Sequence, residues 1–259
     1  ALTGLTAPLP VRSSLSAIAG QVLLIDGQET GKTWDTVTRI LERGFAMGLA
    51  RDGWMVGIGG GVVTDITAFA ASLYMRGCKV LLLPTTVLAQ VDATLGGKTG
   101  INFGGHKNMV GSFYPANEIR IVPELLATLP EREYRGGLAE VIKHGFLVGG
   151  DLHGRIRDQA KAILARDPAI LPDLIWDSLM VKARVVESDL REKGERAHLN
   201  LGHTFGHGLE AAAGFGVWNH GEAVAWGMAK AASLAVRLGL AEPAYEREVL
   251  GPPGSVSIP

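Results

Sequence analysis

The 259 residues suffice for one large domain or two ordinary ones with a sizeable core. Hydrophobic residues at 47% and charged residues at 20% exclude a disordered chain, and a net charge of −1 excludes a general nucleic-acid or polyanion binder, so any basic site must be a local concentration of Lys and Arg. A single cysteine, Cys78, excludes an internal disulfide and makes a reducing, cytoplasmic location the expectation. In chain order, residues 21–25 (QVLLI) predict a strand and residues 33–47 a helix, with Val37, Ile40, Leu41 and Phe45 on one side. Residues 54–58 (WMVGI) predict a second strand that runs into Gly59, Gly60 and Gly61, and residues 62–73 a helix. Residues 79–83 (KVLLL) predict a third strand, stopped by Pro84. Alternating strands and helices with apolar strands imply a parallel sheet covered by helices on both faces.

Beyond Pro123 the pattern becomes helical: residues 132–148, 151–166, 172–189, 203–213 and 221–238 read as helices. The expected domains are therefore 1–122, Rossmann-like and nucleotide-binding, and 123–259, all-helical, with residues from Gly251 onward in a loop. The longest apolar stretch, residues 223–241, is interrupted by Lys230 and Arg237 and reads as a buried helix, so no membrane association is expected.

Gly59-Gly60-Gly61-Val62 follows a strand and opens a helix. Glycines there let a phosphate approach the backbone N–H groups of a helix N-terminus, or simply make a tight turn; the full dinucleotide fingerprint is absent because position 62 is Val. Thr85 and Thr86 end the next strand, where hydroxyls either bond a ligand at the carboxyl end of the sheet or cap a helix. Residues 90–108 interleave Asp92, Lys98, Asn102, Lys107 and Asn108 with five glycines. That run reads as an ordinary surface loop or as a mobile loop closing on an anion.

His203 and His207 stand four apart and can share a helix face, which suggests a metal pair or two unremarkable helical histidines. His220 opens the next helix, and Glu140 lies on an earlier one with Lys143 three residues on. Zinc takes imidazole nitrogen and carboxylate oxygen, and a catalytic site keeps a position open. Lys182 and Arg196, normally solvated charges, would bind carboxylate or phosphate beside a metal.

Taken together, GGGVVTD (59–65), YMRG (74–77), LPTT (83–86), QVDATLGGKTGIN (90–102), HKNMVGSFY (106–114), GGLAEVIKHG (136–145), LNLGHTFGHGLE (199–210) and NHGEAVAWGM (219–228) resemble the 3-dehydroquinate synthase family of sugar-phosphate cyclases. The resemblance runs from about residue 25 to residue 238 and implies a Rossmann-like domain followed by an all-helical one, in a homodimer using NAD and zinc or cobalt. Glu140, His203 and His220 match the metal ligands, which moves His207 from the metal to the substrate. The turn at Gly60, Gly61 and Val62, with Asp65, Thr85, Thr86 and Lys107, matches the NAD contacts. Glu29 and Lys32 of GQETGK join them, as do Leu125, Thr128 and Lys98. Asp92, Lys98, Asn108 and Lys143 match the substrate site, together with Lys182, Arg196, Asn200 and His207. Arg76 matches an arginine that reaches the neighbouring subunit's substrate phosphate. Family members usually continue beyond this chain's end with further helices and another substrate-binding Lys, and the region before Gly59 is short for the family.

The resemblance implies conversion of 3-deoxy-D-arabino-heptulosonate 7-phosphate to 3-dehydroquinate and phosphate in the shikimate pathway. The implied sequence is oxidation by NAD, phosphate elimination assisted by the departing phosphate as base, reduction by the same cofactor, ring opening and aldol closure. Three other readings stand beside it. A sister cyclase would act on sedoheptulose 7-phosphate or glucose 6-phosphate, although Arg196, Asn200 and His207 track the carboxylate end of the dehydroquinate branch. A metal-dependent polyol dehydrogenase would share the architecture but leave the lysines without a task. A non-catalytic binding protein would have no need of an intact metal triad.

Overall fold

The structure is a computed structural model that describes residues 21–189, 194–214 and 217–250. Its contacts divide the chain into two units, Ala1–Thr128 and Leu129–Pro259.

In the first unit, α1 (Trp34–Ala46) begins where the Thr33 hydroxyl accepts the Thr36 N–H at 3.2 Å, satisfying one of the helix's orphan donors. β1 (Trp54–Gly59) turns through Gly60 into α2 (Gly61–Leu73), and β2 (Lys79–Pro84) follows. β1 and β2 are parallel, with Met55 opposite Val80 and Gly59 opposite Pro84, so both strands end at one level. After a single π-helical turn, Ala89–Ala93, come β3 (Lys98–Phe103) and β4 (His106–Phe113), an antiparallel hairpin separate from the parallel sheet. β5 (Glu118–Ile119) pairs with β2, giving the order β1-β2-β5. The core joins Ile66, Phe69 and Ala70 of α2 to Val80 and Leu82 of β2, Ile101 of β3 and Val37 of α1. Burying a side chain such as Ile66 contributes about 1.5–3 kcal/mol.

Three local expectations change here. Residues 21–25 do not join the sheet; they line an apolar cavity with Ile40, Met55 and Val63. A short apolar run signals burial, but pairing needs a partner strand that periodicity cannot supply. Trp54, Val56 and Ile58 are exposed while Met55 is buried, so β1 is covered on one face instead of two. The glycine-rich stretch is not a loop throughout, because its second half is the hairpin. Gly104 and Gly105 make its turn with φ of 61° and 81°, as a two-residue connection between twisted strands requires.

Among the described residues the second unit's elements are all helical: α3 (Glu131–Val148), α4 (Gly150–Asp158), α5 (Ala160–Leu164), α6 (Leu171–Ser188), α7 (His203–Ala213), α8 (His220–Arg237) and α9 (Pro243–Leu250). The single helix expected over 151–166 is two, broken at Gln159. The break lets Ile163 turn inward, and the buried Tyr134 hydroxyl donates to its carbonyl at 2.6 Å. The expected loop from Gly251 lies outside the described residues. Among the described residues no helix is long and apolar enough to cross a membrane.

The architecture is thus a Rossmann-like parallel-sheet unit followed by a helical one.

Candidate functional site

Three helices of the second unit meet at unusually short range. A Cβ on Gly221 of α8 would lie 1.8 Å from the Gly136 carbonyl oxygen of α3, and one on Gly227 would lie 2.0 Å from the carbonyl oxygen of Gly202, just before α7. Only glycine permits such backbone-to-backbone contact. The α8 N-terminus is then clamped. Asn219 accepts the Glu222 N–H at 2.8 Å, and Glu222 Oε2 accepts the Asn219 N–H at 2.8 Å, a complete capping box. Arg132 of α3 binds the same carboxylate through Nε at 2.7 Å and Nη2 at 2.6 Å.

This clamp sets His220 against Glu140 of α3 and His203 of α7. The Nε2 atoms of His203 and His220 both lie 3.7 Å from Glu140 Oε1, and Lys143 contacts Oε2. Glu140 is fully buried and Lys143 is 1% exposed. Burial, and then the charge of Lys143, holds His203 down to about 4, so it is a neutral imidazole with a lone pair to give. Burial also opposes charge on His220, but hydrogen bonding and attraction to Glu140 and Glu210 outweigh it and push this ring up to about 9. One carboxylate and two imidazoles are a donor set zinc or cobalt accepts. Tetrahedral zinc with bonds of about 2.0–2.1 Å holds ligand atoms about 3.3–3.4 Å apart, and the donor atoms of the three groups all lie within 4.8 Å of one another, so they fit an ion once drawn together around it.

The same unit holds the other expected cations. Lys182 on α6 is 6% exposed and Arg196, in the turn Glu195–Asn200, is 3% exposed. α6 and this turn pack on each other and on α3. Asp189 Oδ2 accepts the N–H groups of Gly194 at 2.7 Å and Arg196 at 3.2 Å, which fixes the turn. Asn200 and His207 are exposed, and the His207 ring stands 5.3 Å from His203 and 6.0 Å from His220. Glu210 belongs to this cluster although sequence reading passed over it: its Oε2 is 3.8 Å from His220 Nδ1. Its signal was the spacing 203, 207, 210 along one face of α7. Buried His144, whose Nδ1 is 2.8 Å from Ser178 Oγ, was likewise missed; it ties α3 to α6 beside Lys143 and one turn before Lys182.

In the first unit, several expected nucleotide contacts form one network. Lys32, 3% exposed, donates to Asp65 Oδ2 at 2.7 Å and to Asn108 Oδ1 at 2.5 Å. Glu29 Oε1 accepts from Asn102 Nδ2 at 2.8 Å, and Asn102 Oδ1 accepts the Asn108 N–H at 2.9 Å. Asn108, expected beside the substrate, is therefore bonded to this group, and its φ of 56° places it in the left-handed region. Gly60 caps α2 without a side chain, leaving first-turn N–H groups near Val62 open to an anion. Thr85 donates its N–H to Gly59 O at 2.9 Å, and the Thr86 hydroxyl accepts the Ala89 N–H at 3.2 Å, so Thr86 does serve as a cap. Asp92 lies on the π-helical turn, a feature common at functional positions. Lys98 opens β3 and Lys107 lies on β4, both exposed. Leu125 and exposed Thr128 lie in the segment Pro123–Thr128, and Arg76 is exposed on the turn Tyr74–Arg76.

Residues 22–136 match the family described as 3-dehydroquinate synthase N-terminal, and residues 137–252 match 3-dehydroquinate synthase C-terminal. A 3-dehydroquinate synthase of Geobacter metallireducens is 48% identical over 234 residues, 89% of this chain and 64% of that protein. The chain spans between 60 and 65% of the length of the relatives it matches. Among solved structures, 2-epi-5-epi-valiolone synthase of Streptomyces hygroscopicus subsp. jinggangensis, with NAD+ and Zn2+ bound, superposes with a TM-score of 0.80 at 33% identity, over 93% of this chain and 70% of that one. A 2-deoxy-scyllo-inosose synthase complexed with carbaglucose-6-phosphate, NAD+ and Co2+ gives 0.85 at 29% identity, over 98% and 72%. With the family match continuous across both units, and two buried-glycine contacts gathering a carboxylate and two histidines in the second, the chain belongs to the 3-dehydroquinate synthase family.

Proposed function

We propose that the protein acts as a 3-dehydroquinate synthase. It converts 3-deoxy-D-arabino-heptulosonate 7-phosphate to 3-dehydroquinate and phosphate, as a carbon–oxygen lyase of aromatic amino acid biosynthesis. The observation that carries this reading is the gathering of Glu140, His203 and His220 beside the buried ammonium of Lys143. A plain alcohol dehydrogenase has no use for buried cations next to its metal, whereas a doubly anionic sugar acid does.

When bound, NAD would supply reversible hydride acceptance from the carbon that carries a substrate hydroxyl, and a divalent ion, Zn2+ or Co2+, would lower that hydroxyl's pKa. Glu140, His203 and His220 hold the ion. Glu29, Lys32, Asp65, Thr85, Thr86 and Lys107, with the Gly60–Gly61–Val62 turn, Lys98, Leu125 and Thr128, hold the dinucleotide. Lys143, Lys182 and Arg196 bind carboxylate and phosphate oxygens where water is scarce, which strengthens each contact and fixes one geometry. His207 and Asn200 move hydroxyl protons, Asp92 accepts from a ring hydroxyl, and Lys98 and Asn108 complete the anion's surroundings.

The proposal includes a cytoplasmic homodimer. Buried, free Cys78 suits a reducing compartment. Met75 and Arg76 stand at φ of 49° and 66°, each at a cost of about 1–3 kcal/mol that persists only where the surroundings impose it. That turn presents Arg76 outward, as delivery to a partner's substrate phosphate requires.

The test is phosphate release from 3-deoxy-D-arabino-heptulosonate 7-phosphate with catalytic NAD and added Zn2+, with NADH absorbance followed. Release without accumulating NADH, abolished by a chelator, is expected. Net NADH would indicate a polyol dehydrogenase. Phosphate release only from glucose 6-phosphate or sedoheptulose 7-phosphate would indicate a sister cyclase.

A further inference from the structure

An imidazole that ligates a metal through one nitrogen leaves the other to be satisfied, and whatever satisfies it decides the tautomer and the ring's orientation. His220 directs Nε2 at Glu140 Oε1, 3.7 Å away, and Nδ1 at Glu210 Oε2, 3.8 Å away. Glu210 lies on α7 three residues after His207 and seven after His203, and its side chain is only 13% exposed. The approach of α7 to α8 that makes this possible is close: a Cβ on Gly206 would come within 2.9 Å of the Ala223 carbonyl oxygen.

We propose that Glu210 is a positioning residue of the metal centre, its carboxylate accepting the His220 Nδ1–H so that Nε2 is the nitrogen presented to the ion. The proposal rests on the reading of Glu140, His203 and His220 as the metal ligands. A carboxylate in this place keeps the ring from rotating away and makes the ligating nitrogen more basic. The competing arrangement makes Glu210 itself a ligand with His207 and His220, whose donor atoms also lie within 4.8 Å of one another. Exposure argues against it: Glu140 is fully buried, whereas His207 is exposed and open to competing water.

The experiment titrates the metal-free full chain with Co2+, whose visible absorption reports its ligands, and repeats the binding with Zn2+ against a competing chelator. Glu210→Ala is expected to weaken binding by about 10- to 100-fold with one ion still bound, an unchanged Co2+ spectrum and an unchanged metal-free melting temperature. Glu210→Gln keeps the size and an acceptor oxygen, so it should recover most of the affinity, and it carries the test alone if the alanine variant does not fold. Wild-type affinity in the alanine variant would overturn the proposal. Loss of the bound ion in both variants with an altered Co2+ spectrum would also overturn it, by making Glu210 a ligand. Failure of the unmodified chain to bind either ion would overturn the metal reading itself, and this inference with it.

Discussion

His203 and His220 face the same carboxylate oxygen yet shift in opposite directions, because His203 feels burial and Lys143 while His220 has Glu210 as a second anion. Glu140 is the common element. Glu140→Gln or His203→Ala should therefore remove bound metal and activity together, as measured by metal content after dialysis and by phosphate release. A variant that keeps full turnover without stoichiometric metal would contradict the assignment. At this scale the sequence was uneven. The spacing of His203 and His207 announced a helix face but not which ring turns toward the carboxylate. Glu140 stands 63 positions before His203, and no local pattern reports a contact across that distance; only likeness to a family pointed there. Glu210 carried a readable spacing but meets His220 only because two helices touch at Gly206.

Among the elements, the α8 N-terminus has the most to do for its size, since it aims His220. Asn219→Ala removes the cap and should cost about 1 kcal/mol in chemical denaturation. The Arg132 hydrogen bonds, offset in part by burial, hold Glu222 below the usual carboxylate range. A group depressed in the folded state contributes stability above its unfolded pKa and loses it as pH falls through the folded pKa. Glu222→Gln keeps the capping box geometry and removes this charge. Its deficit relative to the unmodified protein should be largest near neutrality and shrink through the acid range below the usual Glu pKa of about 4.3; a deficit independent of pH would contradict the linkage. Helices were legible where apolar spacing and caps agree, and residues 203–213 emerged with the expected bounds. The β3–β4 hairpin was not. Gly100 and Gly111 face each other so closely that a Cβ on Gly111 would sit 2.0 Å from Thr99 O, and glycine carries no strand preference to read.

For the whole molecule, the proposed function divides most of the labour between two units: the dinucleotide goes to the first, which also lends Asp92, Lys98 and Asn108 to the substrate, and the metal and the buried cations go to the second. Lys32→Met breaks the network to Asp65 and Asn108 and should weaken NAD binding while metal stoichiometry stays at the unmodified value. Lys182→Ala should weaken sugar-phosphate binding far more than NAD binding. Calorimetric titration of each ligand into each variant checks both, and equal loss of both ligands from either variant would contradict the division. From the sequence alone came the strand-and-helix alternation, the helical second half and the glycine turn, because hydrophobic period and turn chemistry are local properties of a chain. The tertiary structure decided which face of β1 is covered, where Asn108 bonds, and which histidine edges meet Glu140 and Glu210. The histidine placement depends on backbones brought together at Gly136 and Gly221, and the Asn108 bond on Lys32 76 residues before it; packing over such separations leaves no periodicity in the chain to be read.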